Sequence, residues 1–167
     1  MTTRVTALVA KALVALVLGC APALASAGGC SLSTSGMAFG RYQPLTLPGK
    51  VSSVDNFSDA TLSMVCTGIA GGGVYSVALG SSFGGSVSPR LMVNPQGGPE
   101  MQFNIYLDPT YSTIWGDGTT GGVFSGTISP GDSGRTFTAY GKVPGGQNGL
   151  RVGSFSASLV VTLRYDP

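Results

Sequence analysis

Hydrophobic and polar residues alternate with a period of two along most of the chain beyond residue 28, which is typical of β-strands that bury one face. Within the clearest run, Met101 to Asp108, Phe103 and Ile105 should face the core, and the residues between them should face solvent. The alternating runs are Met37 to Tyr42, Leu62 to Cys66, Tyr75 to Leu79, Arg90 to Val93, Met101 to Asp108, Val123 to Ile128, Arg135 to Val143 and Phe155 to Tyr165. The residues expected to be buried are Phe39, Leu62, Met64, Tyr75, Val77, Leu79, Phe103, Ile105, Leu107, Phe137, Leu159, Val161 and Leu163.

Turn-forming residues separate these runs, because glycine tolerates positive φ and proline cannot donate to a β-ladder. The turn signals are Gly71 to Gly73, Asn94 to Gly98, Asp117-Gly118, Pro130 to Asp132 and Pro144 to Gly146. No window beyond residue 28 shows a helical stripe. The pattern therefore predicts an all-β sandwich or barrel, formed by a single domain over residues 28–167.

The segment before this domain, residues 1–27, has the pattern of a secretory signal peptide. Arg4 and Lys11 supply its positive region, and the apolar run Ala12 to Cys20 is too short to cross a bilayer, which takes about 20 residues. Small residues predict cleavage after Ala27, with Ala25 as the alternative. We therefore expect a secreted protein that is not inserted in a membrane once the signal is removed.

The chain has three cysteines, and Cys20 lies within the predicted signal. The run Val17 to Cys20 loosely resembles a bacterial lipobox, so acylation of Cys20 is the alternative fate of this terminus. Two cysteines in an exported chain most simply form one disulfide, which predicts a bond between Cys30 and Cys66. A redox or metal-binding pair is the alternative, but the sequence has neither a CxxC motif nor a histidine.

Charge is sparse, since 10% of the residues are charged against about 25% in typical soluble domains. Removal of Arg4 and Lys11 with the signal would reduce the nine basic residues to seven, which equals the seven acidic residues. A neutral domain gives no electrostatic basis for binding nucleic acid. The absence of histidine also excludes His-based catalytic triads and His metal ligands.

Few residues suggest chemistry of their own. Asp117 would need a second carboxylate or a base for catalysis, and Asp117-Gly118 is better suited to a type I′ hairpin turn. The sequence contains no phosphate-binding loop, EF-hand or S-x-x-K motif, so we expect no catalytic residue, no metal and no cofactor. Six tyrosines are candidates either for a sugar-binding platform or for packing across strands: Tyr42, Tyr75, Tyr106, Tyr111, Tyr140 and Tyr165.

Several short motifs occur together in a fixed order. They are Cys30 to Ser33, Met37 to Tyr42, Cys66, Arg90 to Met92, Tyr106 to Asp108, Trp115 to Gly118, Tyr140 to Pro144, Gly146-Gln147 and Val161 to Tyr165. In this order they resemble the spore coat protein U family, whose domains also form the pilin-like subunits of archaic chaperone–usher pili. The resemblance extends over nearly all of residues 28–167.

The resemblance implies an immunoglobulin-like β-sandwich that lacks its final strand. A strand from a periplasmic chaperone would fill the gap first, and a strand from the next pilin-like subunit would replace it at the outer-membrane usher. The protein would then pass through the periplasm to the cell surface or the medium. The apolar residues expected to line this donor-strand groove are Phe155, Leu159, Val161 and Leu163.

Cleavage after Ala27 would leave only Gly28 and Gly29 before Cys30, which is too short for a donor strand. We therefore expect a structural subunit of a pilus or a spore-coat-like layer that accepts a strand without donating one, as at a fibre tip. The alternative is a stand-alone secreted adhesin or carbohydrate-binding module, which exposed apolar residues in the loops 81–89 or 116–122 would favour. An enzyme would instead need a cleft with two carboxylates within about 10 Å of each other.

Overall fold

The computed structural model describes residues 28–45 and 53–167, so the predicted signal, its cleavage sites and Cys20 lie outside the described residues. The described residues form eight β-strands and one 3-10 turn, Phe83–Gly85. Within these residues, no helix has the length and apolar character needed to cross a membrane. The strands are β1 (Gly29–Thr34), β2 (Asn56–Thr67), β3 (Gly73–Leu79), β4 (Arg90–Met92), β5 (Met101–Tyr106), β6 (Phe124–Ile128), β7 (Gly134–Val143) and β8 (Val161–Asp166).

The strands form two antiparallel sheets, which confirms the predicted all-β sandwich. The first sheet has five strands in the order β1-β2-β7-β5-β4, and the second has three in the order β6-β3-β8. The longest ladder joins β2 to β7, where Ala60 lies opposite Ala139 and Leu62 lies opposite Phe137. The five-stranded sheet is therefore the wider layer of the sandwich.

The core lies between the two sheets and comes from the inward positions of the alternating runs. Of the residues expected to be buried, seven are buried: Leu62, Met64, Tyr75, Val77, Leu79, Phe103 and Ile105. The others are only partly buried and pack against the core from its margin: Phe39, Leu107, Phe137, Leu159, Val161 and Leu163. The first group confirms the prediction of large burial, and the second group is buried only in part.

The predicted disulfide is confirmed. Cys30 of β1 and Cys66 of β2 are bonded, with an S–S distance of 2.02 Å, and they lie directly opposite each other in the β1–β2 ladder. The bond ties the edge strand of the five-stranded sheet to its neighbour.

The predicted strand from Met37 to Tyr42 does not form. This segment contains no ladder pairing, and Gly36 and Gly40 have φ values of +73° and +71°. Those left-handed angles interrupt the extended backbone that a strand requires. The side chains of Met37 and Phe39 nevertheless pack directly against Gly141 of β7. They lie so close that a Cβ at this position would overlap both of them.

The predicted strand from Phe155 to Tyr165 is interrupted. Ser156 pairs with Val93 next to β4 of the first sheet, whereas the carbonyl of Val160 accepts from the N–H of Gly80 next to β3 of the second sheet. The chain therefore crosses between the sheets here, and regular pairing begins only at Val161.

Asp117 is also placed differently from the prediction of a two-residue hairpin turn. Trp115 pairs with Gly122, which leaves a longer loop between them. The Asp117 carboxylate accepts hydrogen bonds from the N–H groups of Thr119 and Thr120, at 2.8 and 2.7 Å. It therefore holds its own loop in shape.

Candidate functional site

The two sheets differ in width, and this difference leaves part of the core uncovered. Strands in a sheet are about 4.8 Å apart, so three strands cannot cover the inner face of five. The uncovered strip forms a largely apolar groove with a volume of about 1120 Å³. We call this feature the inter-sheet groove.

The floor of the inter-sheet groove is the inner face of the five-stranded sheet. Small side chains at its centre, Ala60 of β2 and Ala139 of β7, face each other across the ladder. Larger apolar side chains surround them: Leu62, Met92, Met101, Phe103, Ile105, Trp115 and Val143. The floor is thus apolar throughout and supplied by β2, β7, β5 and their neighbours.

One bank of the groove is the segment Gly36–Leu45, which we call the N-terminal bank. The side-chain amide of Asn56 donates to the carbonyls of Phe39 and Arg41, at 3.0 and 2.6 Å. The hydroxyl of Tyr42 donates to the carbonyl of Pro144 at 2.9 Å. These side-chain contacts hold the segment over the sheet without any β-ladder, so its backbone edge toward the groove is not paired with a strand of the described chain.

The opposite bank is formed by residues 150–157, by Leu159 and by Val161, the first residue of β8. β8 pairs with β3 along one edge, and within the described residues no strand pairs with its other edge. Of the four residues predicted to line a donor-strand groove, Phe155, Leu159 and Val161 line this one. Leu163 is not among the lining residues and instead packs partly against the core.

One end of the groove is held by a buried arginine that the sequence did not suggest as important. Arg90 of β4 is completely buried and donates to the carbonyls of Leu79, Gly80 and Trp115 and to the side-chain oxygen of Asn104, at 2.7 to 3.0 Å. Burial lowers the pKa of its guanidinium to about 10, so Arg90 stays charged at neutral pH.

Arg90 also explains why Asn104 faces inward, contrary to the alternation in β5. Asn104 is buried because its side chain accepts from Arg90. Since Gly80 in turn donates to Val160, Arg90 links the floor strand β5 to the start of β8. In the sequence, the only indication of this role was the position of Arg90 within an otherwise apolar strand motif.

Other predicted features lie apart from the groove. In the part of the chain that the structure describes, no three His, Cys, Asp or Glu side chains come together as metal ligands. In the loop 81–89, Phe83 is 60% exposed and Val87 is buried. Tyr106 and Tyr111 meet on the outside of the five-stranded sheet, with ring centroids 5.5 Å apart. Tyr75 and Tyr165 belong to the core or pack against it, whereas Tyr42 is part of the N-terminal bank of the groove.

A solved structure with a similar fold is a chaperone–tip adhesion subunit pre-assembly complex, CsuC–CsuE, from the archaic chaperone–usher Csu pili of Acinetobacter baumannii. The TM-score is 0.52 at 16% sequence identity, and the match covers 81% of this chain and 39% of that chain. This chain therefore spans about two fifths of the length of the chain it matches, and the likeness concerns the fold. No curated protein sequence matches this chain.

A match to a family model covers most of the chain. The family model described as the Spore Coat Protein U domain matches residues 17–162, which include seven of the eight strands and the start of β8. The match contains the disulfide, both banks of the groove and Arg90. The chain belongs to the Spore Coat Protein U domain family.

Proposed function

We propose that this protein is a structural subunit of a secreted surface assembly of the chaperone–usher kind, and that its inter-sheet groove accepts a donor strand from another protein. The observation that carries the proposal is the gap between two unpaired backbone edges, β8 and the N-terminal bank, above an apolar floor. The proposal includes no catalytic activity.

The backbone on each side of the gap favours a strand as the occupant. Unpaired N–H and C=O groups along a strand edge are a template for pairing with another chain. β8 has no ladder partner on the side away from β3 in the described chain, and Val161 at its start lines the groove. A short extended segment would extend the second sheet beyond β8 and lie against the N-terminal bank.

The floor favours alternating side chains in that segment. Successive side chains of a strand point to opposite faces, so every second residue of an inserted strand would point into the groove. Those residues would meet Leu62, Val143 and the small pair Ala60 and Ala139. Each would remove apolar surface from water, at roughly 25 cal/mol per Å².

The comparisons support the identity of the partners in this proposal. Membership of the Spore Coat Protein U domain family and a fold similar to that of a chaperone–subunit complex are in accord with a pilin-like subunit. We propose that a periplasmic chaperone fills the groove during transit, that an outer-membrane usher promotes the exchange, and that another pilin-like subunit supplies the final strand at the cell surface. The tip position expected from the sequence stays a prediction, which labelling of fibre ends would test.

The test is to fuse a strand to the chain itself. A flexible linker after Pro167 is followed by a segment of about nine residues that alternates threonine with valine or isoleucine. The fused strand should raise the melting temperature, because an occupant selective for the folded state stabilises that state. The control is a fusion of the same composition in shuffled order, which has no alternating face.

Equal melting temperatures for the alternating and the shuffled fusions would contradict the acceptor role. Amide hydrogen exchange can show where the fused strand binds. The N–H groups on the unpaired edge of β8 should become protected only in the alternating fusion.

A second candidate function, a stand-alone surface-binding module, is favoured by the exposure of Phe83 at the loop 81–89. In that case Phe83→Ser would reduce attachment of the purified protein to an apolar surface, and filling the groove would leave attachment unchanged.

A further inference from the structure

The inter-sheet groove carries charge of one sign. Among the described residues that line it, Arg41 and Arg151 are the charged ones, and both are exposed at the rim. Arg41 belongs to the N-terminal bank, whereas Arg151 precedes Phe155 on the side of β8. An occupant therefore meets a positive side chain on each side.

Acidic residues do not balance these arginines. The chain has seven acidic residues, and none of them lines the groove. Asp55 pairs with Lys142 and Asp132 pairs with Arg135, while Asp108 and Asp117 accept hydrogen bonds within their own loops. Arg151 donates to the carbonyl of Gln96 at 2.8 Å, and neither arginine has an ion-pair partner in the described chain.

From this one-sided charge we infer that the strand which fills the groove carries acidic side chains on its outward positions or at its ends. This inference rests on the proposed function. The partner strand would have alternating apolar residues, with Asp or Glu between or beside them. The apolar positions would fill the floor, and the carboxylates would lie at the rim, near Arg41 and Arg151. Complementary charge of this kind selects partners and speeds their encounter more than it adds affinity.

The one-sided charge of the groove also disfavours some strands. A strand with lysine at the outward positions would bring like charges together at the rim, which is unfavourable. The groove would then discriminate between apolar strands of equal hydrophobicity by their charge. Exposed pairs contribute little each, so the effect should be modest and should depend strongly on salt.

The test uses two fused strands that are identical except at two outward positions, which carry glutamate in one fusion and lysine in the other. Both residue types have a low preference for strands, so the comparison isolates the charge. In about 20 mM salt the glutamate fusion should melt about 2–4 °C above the lysine fusion. In about 0.5 M salt this difference should largely disappear, because the Debye length falls to a few ångströms.

Variants of the chain assign the effect to the two arginines. Combining Arg41→Gln with Arg151→Gln should abolish the difference between the fusions, whereas Arg41→Lys with Arg151→Lys should retain it. Arg135→Gln is the matched control, because Arg135 lies on β7 and does not line the groove. That control should leave the difference unchanged.

The outcomes separate this inference from the proposed function. If both fusions melt above the shuffled control by the same amount, the groove accepts strands without selecting acidic ones, and the inference is wrong. The inference is also wrong if the difference survives in the Arg41→Gln, Arg151→Gln chain. If neither fusion melts above the shuffled control, the acceptor role itself fails.

Discussion

Arg90 shows how one buried charge can define a corner of this fold. A buried guanidinium is costly unless its donors are satisfied, and Arg90 satisfies them with three backbone carbonyls and Asn104. Those acceptors belong to different parts of the chain: the end of β3, the strand β5 and the loop at Trp115. Hydrogen bonds from the Arg90 side chain therefore take the place of backbone ladders where the two sheets converge.

Replacing Arg90 should be strongly destabilising. Arg90→Met keeps much of the volume but leaves several buried acceptors without a donor, so we expect a loss of at least about 3 kcal/mol in the free energy of unfolding. Urea titration measures this loss, and Arg164→Met, at an exposed position, should change it by less than about 0.5 kcal/mol. Should Arg90→Met not fold, Arg90→Lys, which keeps a charge but fewer donors, should show an intermediate loss. A loss as small as that of the exposed control would contradict the role.

Asp108 shapes the loop that follows β5. Its carboxylate accepts from the hydroxyl of Thr110 and from the N–H groups of Thr110, Ser112 and Thr113. These hydrogen bonds, that of the Thr110 side chain first, hold the pKa of Asp108 well below its usual range. They also support Tyr111, which has a φ of +56° and whose ring lies 4.8 Å from that of Phe57.

The depressed pKa predicts how stability depends on pH. Because the folded-state pKa lies below the unfolded-state value of about 3.9, Asp108 contributes stability that is fully present above about pH 4. This contribution is lost as the pH falls through the folded-state pKa. The melting temperature of Asp108→Asn should therefore be lower than that of the wild type at pH 7, and the two should converge toward pH 2. Parallel curves would contradict the prediction, and Glu100→Gln serves as an exposed control.

At the scale of the element, the strands that bury a full face were predictable and the bordering segments were not. Leu62, Val77 and Phe103 lie on strands paired on both sides, so their alternation directly reflects burial. The segment Met37 to Tyr42 alternates as well, but no strand of the described chain pairs with it. In a sequence, alternation reveals which side chains face inward, and it does not reveal whether the backbone edge has a partner.

The groove itself was only partly predictable for the same reason. Alternation predicts a shared face for Phe155, Leu159 and Val161, which line the groove. It does not show that the chain passes from one sheet to the other between Ser156 and Val160. Arg90 and Asn104 depend on partners far away in the sequence, so no local pattern indicates that they are buried.

Two adjacent residues test which face of the β8 side lines the groove. Leu159 lines the groove, whereas Val160 is 70% exposed and does not. In the chain with the alternating fused strand, Leu159→Asp should remove most of the gain in melting temperature, because it places a carboxylate against apolar side chains. Val160→Asp should leave most of the gain in place. Equal effects of the two substitutions would mean that the fused strand binds elsewhere.

At the scale of the whole molecule, the wide sheet is the more extensively paired layer of the sandwich. It contains the longest ladder, and the disulfide closes its edge between β1 and β2. The narrow sheet and the N-terminal bank lie on this platform with the groove between them. Stability should therefore depend on the disulfide even though the bond is not in the groove.

Replacing both cysteines tests this dependence. Cys30→Ser combined with Cys66→Ser removes a link across a sequence separation of 36, which corresponds to about 3–4 kcal/mol in the chain-entropy estimate. The double variant should unfold at a clearly lower urea concentration than the wild type, and adding a reductant should lower the midpoint of the wild type but leave that of the double variant unchanged. Detection of two free thiols per chain in the exported, denatured but unreduced wild type would contradict the bond.

Trp115 is the sole tryptophan of the chain, and it lies at the inner end of the groove with 2% of its surface exposed. Its indole N–H donates to the carbonyl of Val77, and its ring meets that of Phe124. The ring is thus fixed in place while the space beside it can be empty or full. If a strand fills the groove, the packing around this single fluorophore changes, and its emission should change with it. Intrinsic fluorescence of the alternating and the shuffled fusions can therefore test strand binding without an attached dye.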